Sequence, residues 1–163
     1  ALLGGDVGHA VGVALGLQQA FHVGLRQDIL GDGRGLLHRL LLGGAVGIHV
    51  PQHAVPQLQG LGRSSTARYY AIRDIDEARA FIEHPYLGAN LREISEALLQ
   101  LDCSDPVAVM GWPDDLKLRS SMTLFSKASE DNAVFLAVLD KYYGGQPDSE
   151  TLNILARQAA ARE

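Results

Sequence analysis

Every lysine and every glutamate of this chain lies beyond Pro56. Residues 1–55 contain neither, yet they hold five of the six histidines and most of the glycines. Val11 to Leu25 has the apolar content of a helix, which Gly12, Gly16 and Gly24 each weaken by roughly 0.5–1 kcal/mol relative to Ala. The residues after Pro56 combine apolar stripes at helical spacing with charged positions and recurrent turn residues. The break thus gives two readings. Residues 1–55 read as an atypical Gly/Leu-rich segment, either disordered or translated from a shifted frame. Residues 56–163 read as a helical domain. Peptide mass spectrometry of the native protein tests the frame reading, which abundant peptides from residues 1–55 would refute.

The 163 residues provide enough chain for one domain with a real core. The formal net charge is -5, which argues against an extended nucleic-acid surface. Cys103 is the single cysteine, so no internal disulfide can form, as suits a reducing compartment. Near the start, Asp6, His9 and glycines interrupt the apolar runs, and none reaches the roughly 18 residues a membrane span needs. No basic start precedes an apolar core in the manner of a signal peptide. The expectation is a soluble, cytoplasmic protein without membrane contact. Its oligomeric state is not legible.

Two fragments of the first segment imitate sites. Gly31-Asp-Gly-Arg-Gly35 is rich in glycine but has no lysine and hydroxyl partner to complete a phosphate cradle, so it reads as a turn. His49 and His53 have the spacing of metal ligands on a helix. Pro51 lies between them and no third ligand is evident, so neither a metal nor a cofactor is expected.

The second segment predicts mainly α structure, a compact set of helices with short connections. Ile72 to Glu83 carries Asp74 and Glu77 at capping-box spacing, with Ile75, Ala78, Phe81 and Ile82 inward. His84 stands in the last turn, ahead of Pro85. Leu87 to Leu101 repeats leucine and isoleucine at steps of three and four, with an Arg92–Glu96 pair outside. A short piece, Val107 to Met110, closes at Gly111. Asp114 or Asp115 is positioned to cap a helix through Phe125, with Leu118, Met122 and Phe125 inward. Ser129 is positioned to cap a helix to Tyr143, which Gly144-Gly145 ends. Pro147-Asp148 opens a final helix.

Lys117, Arg119, Ser120 and Ser121 form the most polar cluster of this segment. Lysine, arginine and a hydroxyl together suit an anion or carboxylate. A nucleophilic serine would require a base beside it, and none is near in sequence. The plainer reading is a solvated face with salt bridges to neighbouring helices.

Several ordered motifs lie in this segment. They are Pro56-Gln-Leu-Gln-Gly-Leu-Gly-Arg-Ser64, Tyr70-Ala-Ile72, His84-Pro-Tyr-Leu-Gly88, Asp115-Leu-Lys-Leu-Arg-Ser-Ser-Met-Thr-Leu-Phe125, Phe135-Leu-Ala-Val-Leu-Asp-Lys-Tyr-Tyr-Gly-Gly145 and Asp148-Ser-Glu-Thr-Leu152. In this order the chain resembles bacterial domain-of-unknown-function family 1810 over residues 56–155, some members of which are labelled calpastatin-like. The resemblance implies a compact helical domain and brings neither a cofactor nor catalytic residues. Members also carry an aromatic run of the type His-Trp-Met-Trp-Phe-Ile-Phe before the Pro-Gln pair. Here those positions read Ile48-His-Val-Pro-Gln-His-Ala-Val55.

Two functional readings follow. In the first, a small anionic or nucleotide-like ligand is bound or processed at Lys117, Arg119, Ser120, His84 and Tyr70, gathered in one concave site. In the second, the domain is a noncatalytic protein-binding or regulatory module with an exposed apolar patch around Trp112 or Tyr142 and Tyr143.

Overall fold

The computed structural model describes residues 55–163, so the expectations for Gly31–Gly35, His49 and His53 lie outside the described residues. Among the described residues seven helices follow one another: α1 Ser65–Tyr69, α2 Ile75–Glu83, α3 Leu87–Gln100, α4 Pro106–Met110, α5 Asp114–Ala128, α6 Ala133–Tyr143 and α7 Ser149–Ala160. Among the described residues there is no strand, only an isolated parallel bridge between Leu58 and Ile72. Its backbone bonds run from Gln59 N–H to the Ile72 carbonyl and from Ile72 N–H to the Gln57 carbonyl. That pairing holds Ile72 out of the helix expected to begin there.

Helix starts divide into those a side chain caps and those that packing sets. Asp74 accepts from Glu77 N–H at 2.9 Å, while Glu77 accepts from Arg73 N–H, so the capping pair reaches one residue further back than expected. Asp105 caps α4, whose first residue is Pro106, and Asp148 caps α7 through both the N–H and the hydroxyl of Thr151. Neither Asp114 nor Asp115 caps α5. Both lie inside its first turn, following Pro113. Ser129 does not cap α6 either. It ends α5, and its hydroxyl accepts from Arg92 while donating to the Asp131 carbonyl. Arg92, expected to pair along its own helix, instead ties α3 to the α5–α6 turn and lies 5.2 Å from the Phe135 ring centroid.

The core forms around α5. Leu118, Met122, Leu124 and Phe125 are fully buried. α2 and α6 pack on α5, α3 packs on α2 and α6, and α4 and α7 flank α5. Phe81, Phe125 and Phe135 link α2, α5 and α6, with ring centroids 5.3 and 6.0 Å apart in succession. α6 also closes the end of α3. Lys141 donates to the Leu98, Leu99 and Leu101 carbonyls and Tyr142 to that of Leu98, a favourable place for a cation at a helix C-terminus. Gly144 and Gly145 take positive φ and end α6 as its sequence predicts. No helix among the described residues is long and apolar enough to cross a membrane.

Candidate functional site

α5 is unusual for a central helix because of its polar content. Asp114, Asp115, Ser120, Ser121, Thr123 and Ser126 are all buried on it. Three of these hydroxyls are satisfied locally. Ser120 donates to the Leu116 carbonyl, Thr123 to that of Arg119 and Ser126 to that of Thr123. Thr123 also accepts from Asp148 N–H at 2.8 Å, which anchors the start of α7. Among the described residues three buried side-chain atoms have no partner: Oε1 of Gln158 on α7 and, on α5, Oδ1 of Asp115 and the hydroxyl of Ser121, a residue with no exposed surface. Leaving such an atom unpaired costs about 1–3 kcal/mol, so each calls for an explanation.

Of the expected site residues, Lys117 and Arg119 lie on different sides of α5. They are two positions apart on the helix, about 200° around its axis. Lys117 donates to Asp114 at 2.7 Å, and both side chains are largely buried. Arg119 points the other way. Its Nε donates to the Gln146 carbonyl at 3.0 Å, and its guanidinium lies 5.7 Å from the Tyr143 ring centroid. On that flank the Tyr143 hydroxyl donates to the Asp115 carbonyl at 2.5 Å. Burial, reinforced by the Asp115 charge and opposed by Arg119, pushes the Tyr143 phenol well above its usual range.

Ser120 sits beside Lys117 on the helix and is buried, so that part of α5 is not the solvated face of the plainer reading. Its hydroxyl is committed to the helix backbone. His84 ends α2, and its Nδ1 accepts the Tyr86 and Leu87 N–H groups, which builds the turn into α3. Tyr70 ends α1, half-buried, with its ring 5.0 Å from Tyr69. Among the described residues, no group of His, Cys, Asp and Glu side chains could hold a metal ion.

The residues that sequence reasoning undervalued are Asp114, read as a cap, and Ser121, read as one member of an outer polar cluster. The spacing carried a signal for Ser121. It lies three after Leu118 and four before Phe125, which places it among the inward positions.

The model of the family described as "Protein of unknown function (DUF1810)" matches residues 49–155. The chain belongs to this family. The DUF1810 match begins ahead of Pro56 and runs through the first half of α7. A similar solved structure is that of the conserved hypothetical protein Rv1873 from Mycobacterium tuberculosis. It is 41% identical with a TM-score of 0.71, over 76% of this chain and 87% of that one. No functionally curated protein matches the chain. DUF1810 membership therefore supports the helical fold, and the reading of the site rests on its side chains.

Proposed function

We propose that this domain binds a small anionic ligand, such as a phosphate or nucleotide-like group, on the Asp114–Lys117–Ser121 face of α5. The observation that carries the reading is the buried, unpartnered Ser121 hydroxyl one turn after Lys117. These positions follow one another at helical spacing on one side of the helix. Asp114 holds the Lys117 ammonium in place, so the cation is oriented before a ligand arrives. A ligand oxygen would gain a charge-assisted bond from Lys117, and a ligand group near Ser121 would satisfy the orphaned hydroxyl. Ser120 supports the same stretch of helix. Arg119 has a structural role in this reading, because it ties α5 to the α6–α7 turn.

The reading is one of binding. The Ser120 hydroxyl is spent on a carbonyl, and no hydrogen bond brings a base to Ser121. The exposed lone Cys103 supports a reducing, cytoplasmic setting.

Thermal unfolding in the presence of inorganic phosphate and of adenosine monophosphate tests this proposal. A ligand present at about 100 times its Kd raises stability by about 2.7 kcal/mol. Lys117→Ala should remove the rise. Arg119→Ala should lower the baseline stability by about 1–2 kcal/mol while preserving the rise. If neither anion shifts the transition, or if Lys117→Ala leaves the shift intact, the reading fails.

A further inference from the structure

From Glu93 to Leu116 the chain carries six acidic residues and no basic one. Glu93, Glu96, Asp102 and Asp105 are exposed, while Asp114 and Asp115 are buried at the start of α5. The same stretch holds the most exposed large apolar side chain of the described residues, Trp112 at 77%, together with Leu116 at 51% and Val107 at 49%. Hydrogen bonds from Gly111 N–H to the Val107 carbonyl and from Asp115 N–H to the Gly111 carbonyl fold these positions into one compact α4–α5 corner. Tyr69, Tyr86 and Leu136 are exposed at other points of the described surface, while most of the remaining large apolar side chains enter a common core. An exposed tryptophan with two aliphatic neighbours is the composition of an interface anchor rather than of a solvated corner.

The charges around the corner restrict what can cover it. The cations that border the stretch are held against groups of the domain, Lys117 beside Asp114, Lys141 on the carbonyls ending α3, and Arg92 on Ser129 and Asp131, and the acidic side chains Asp102 and Asp105 stand exposed. An anionic membrane surface or an acidic partner would meet like charge, whereas a basic one would meet complementary charge. We propose that the Val107–Trp112–Leu116 corner docks a basic amphipathic segment of a partner protein, its apolar side on Trp112 and its Lys or Arg side chains toward Asp102 and Asp105.

Trp112 is the only tryptophan of the chain, so its emission reports this surface directly. The full chain is titrated with a tryptophan-free Leu/Lys amphipathic peptide, and in parallel with its Leu/Glu counterpart and with phosphatidylglycerol vesicles. The basic peptide should shift Trp112 emission to the blue, and added salt should weaken the effect. Leu116→Asp should weaken binding by roughly tenfold or more with unchanged helical circular dichroism, as expected for an interface anchor. Asp102→Asn should weaken it less and flatten the salt dependence. The proposal is overturned if the basic peptide gives no shift, or if the Leu/Glu peptide or the vesicles shift the emission as strongly. It is also overturned if Leu116→Asp binds like the parent, or if emission shifts with protein concentration alone, which would make the occupant a second copy.

Discussion

At the residue scale, two hydroxyls on α5 have opposite consequences. Ser121 is fully buried without a partner, so removing its oxygen removes a desolvated group and no bond. Ser121→Ala should leave stability unchanged or raise it by about 1 kcal/mol in a denaturant titration. Thr123 is equally buried, but it accepts the Asp148 N–H that begins α7. Thr123→Val keeps the volume and strands that N–H, so it should lower stability by about 1–3 kcal/mol. Equal losses from the two would show that the Ser121 hydroxyl has a structural partner, removing the basis of the proposed anion site. Sequence spacing placed Leu118, Met122 and Phe125 inward, because apolar side chains announce their face. It set Ser121 among the inward positions but could not show that Thr123, and not Ser121, has a partner, because that partner lies 25 residues away in the chain.

At the scale of elements, close approach and capping decide the packing. A Cβ added to Gly88 would lie 1.9 Å from the Ile82 carbonyl oxygen, so α3 begins against the end of α2 with room for no side chain. Gly88→Ala would ordinarily favour a helix. Here it should instead cost about 1–3 kcal/mol or more through overpacking, seen as a lower unfolding midpoint. α6 caps α3 through Lys141 and Tyr142, and this contact has a pH signature. Burial, and secondarily the nearby Cys103 charge, pushes the Tyr142 phenol from 10.0 up to about 12. The folded state therefore holds this proton more tightly than the unfolded state. Its contribution is intact below about pH 10 and is lost as pH rises from there toward about 12. Stability should fall across that window by on the order of 1 kcal/mol per pH unit from this group. Tyr142→Phe should lose about 1 kcal/mol at neutral pH with the Leu98 hydrogen bond, and show a shallower alkaline decline. An identical alkaline slope in both proteins would assign the decline to other groups. The helices themselves were legible in the sequence, since apolar period and turn residues are local. The caps were less so. Asp74 and Asp148 bond within their own first turn, whereas Lys141 closes a helix about 40 residues earlier in the chain, and no local pattern encodes that.

At the scale of the whole molecule, burial is uneven, and the unevenness predicts how the domain opens. α5 is buried along most of its length and is joined to α2 and α6 through the Phe81–Phe125–Phe135 contacts. α7 buries only Thr151 completely. It is held by its Asp148 cap, by Ile154 and Leu155 partly packed on the core, and by Gln158 donating to the Arg73 carbonyl. Arg162 adds ion pairs to Asp74 and Asp76. Arg162 and Asp76 are about half exposed in these pairs, and pairs reached by solvent in this way are worth about 0–1 kcal/mol each. The first turn of α7 is therefore anchored by buried groups, and its last turns by exposed ones. Native-state hydrogen exchange in low denaturant should show Ala156–Ala160 opening first, at a free energy well below the global value. The amides of α5 should open only with global unfolding. Phe125→Ala should lower the α5 protection by about 3–5 kcal/mol, and it should lower the local opening energy of Ala156–Ala160 far less, since that opening does not disturb the aromatic contacts. If Ala156–Ala160 were protected as strongly as α5, the exposed pairs at Arg162 would be holding the helix far more firmly than solvated charges can, and α7 would have to be counted as part of the core.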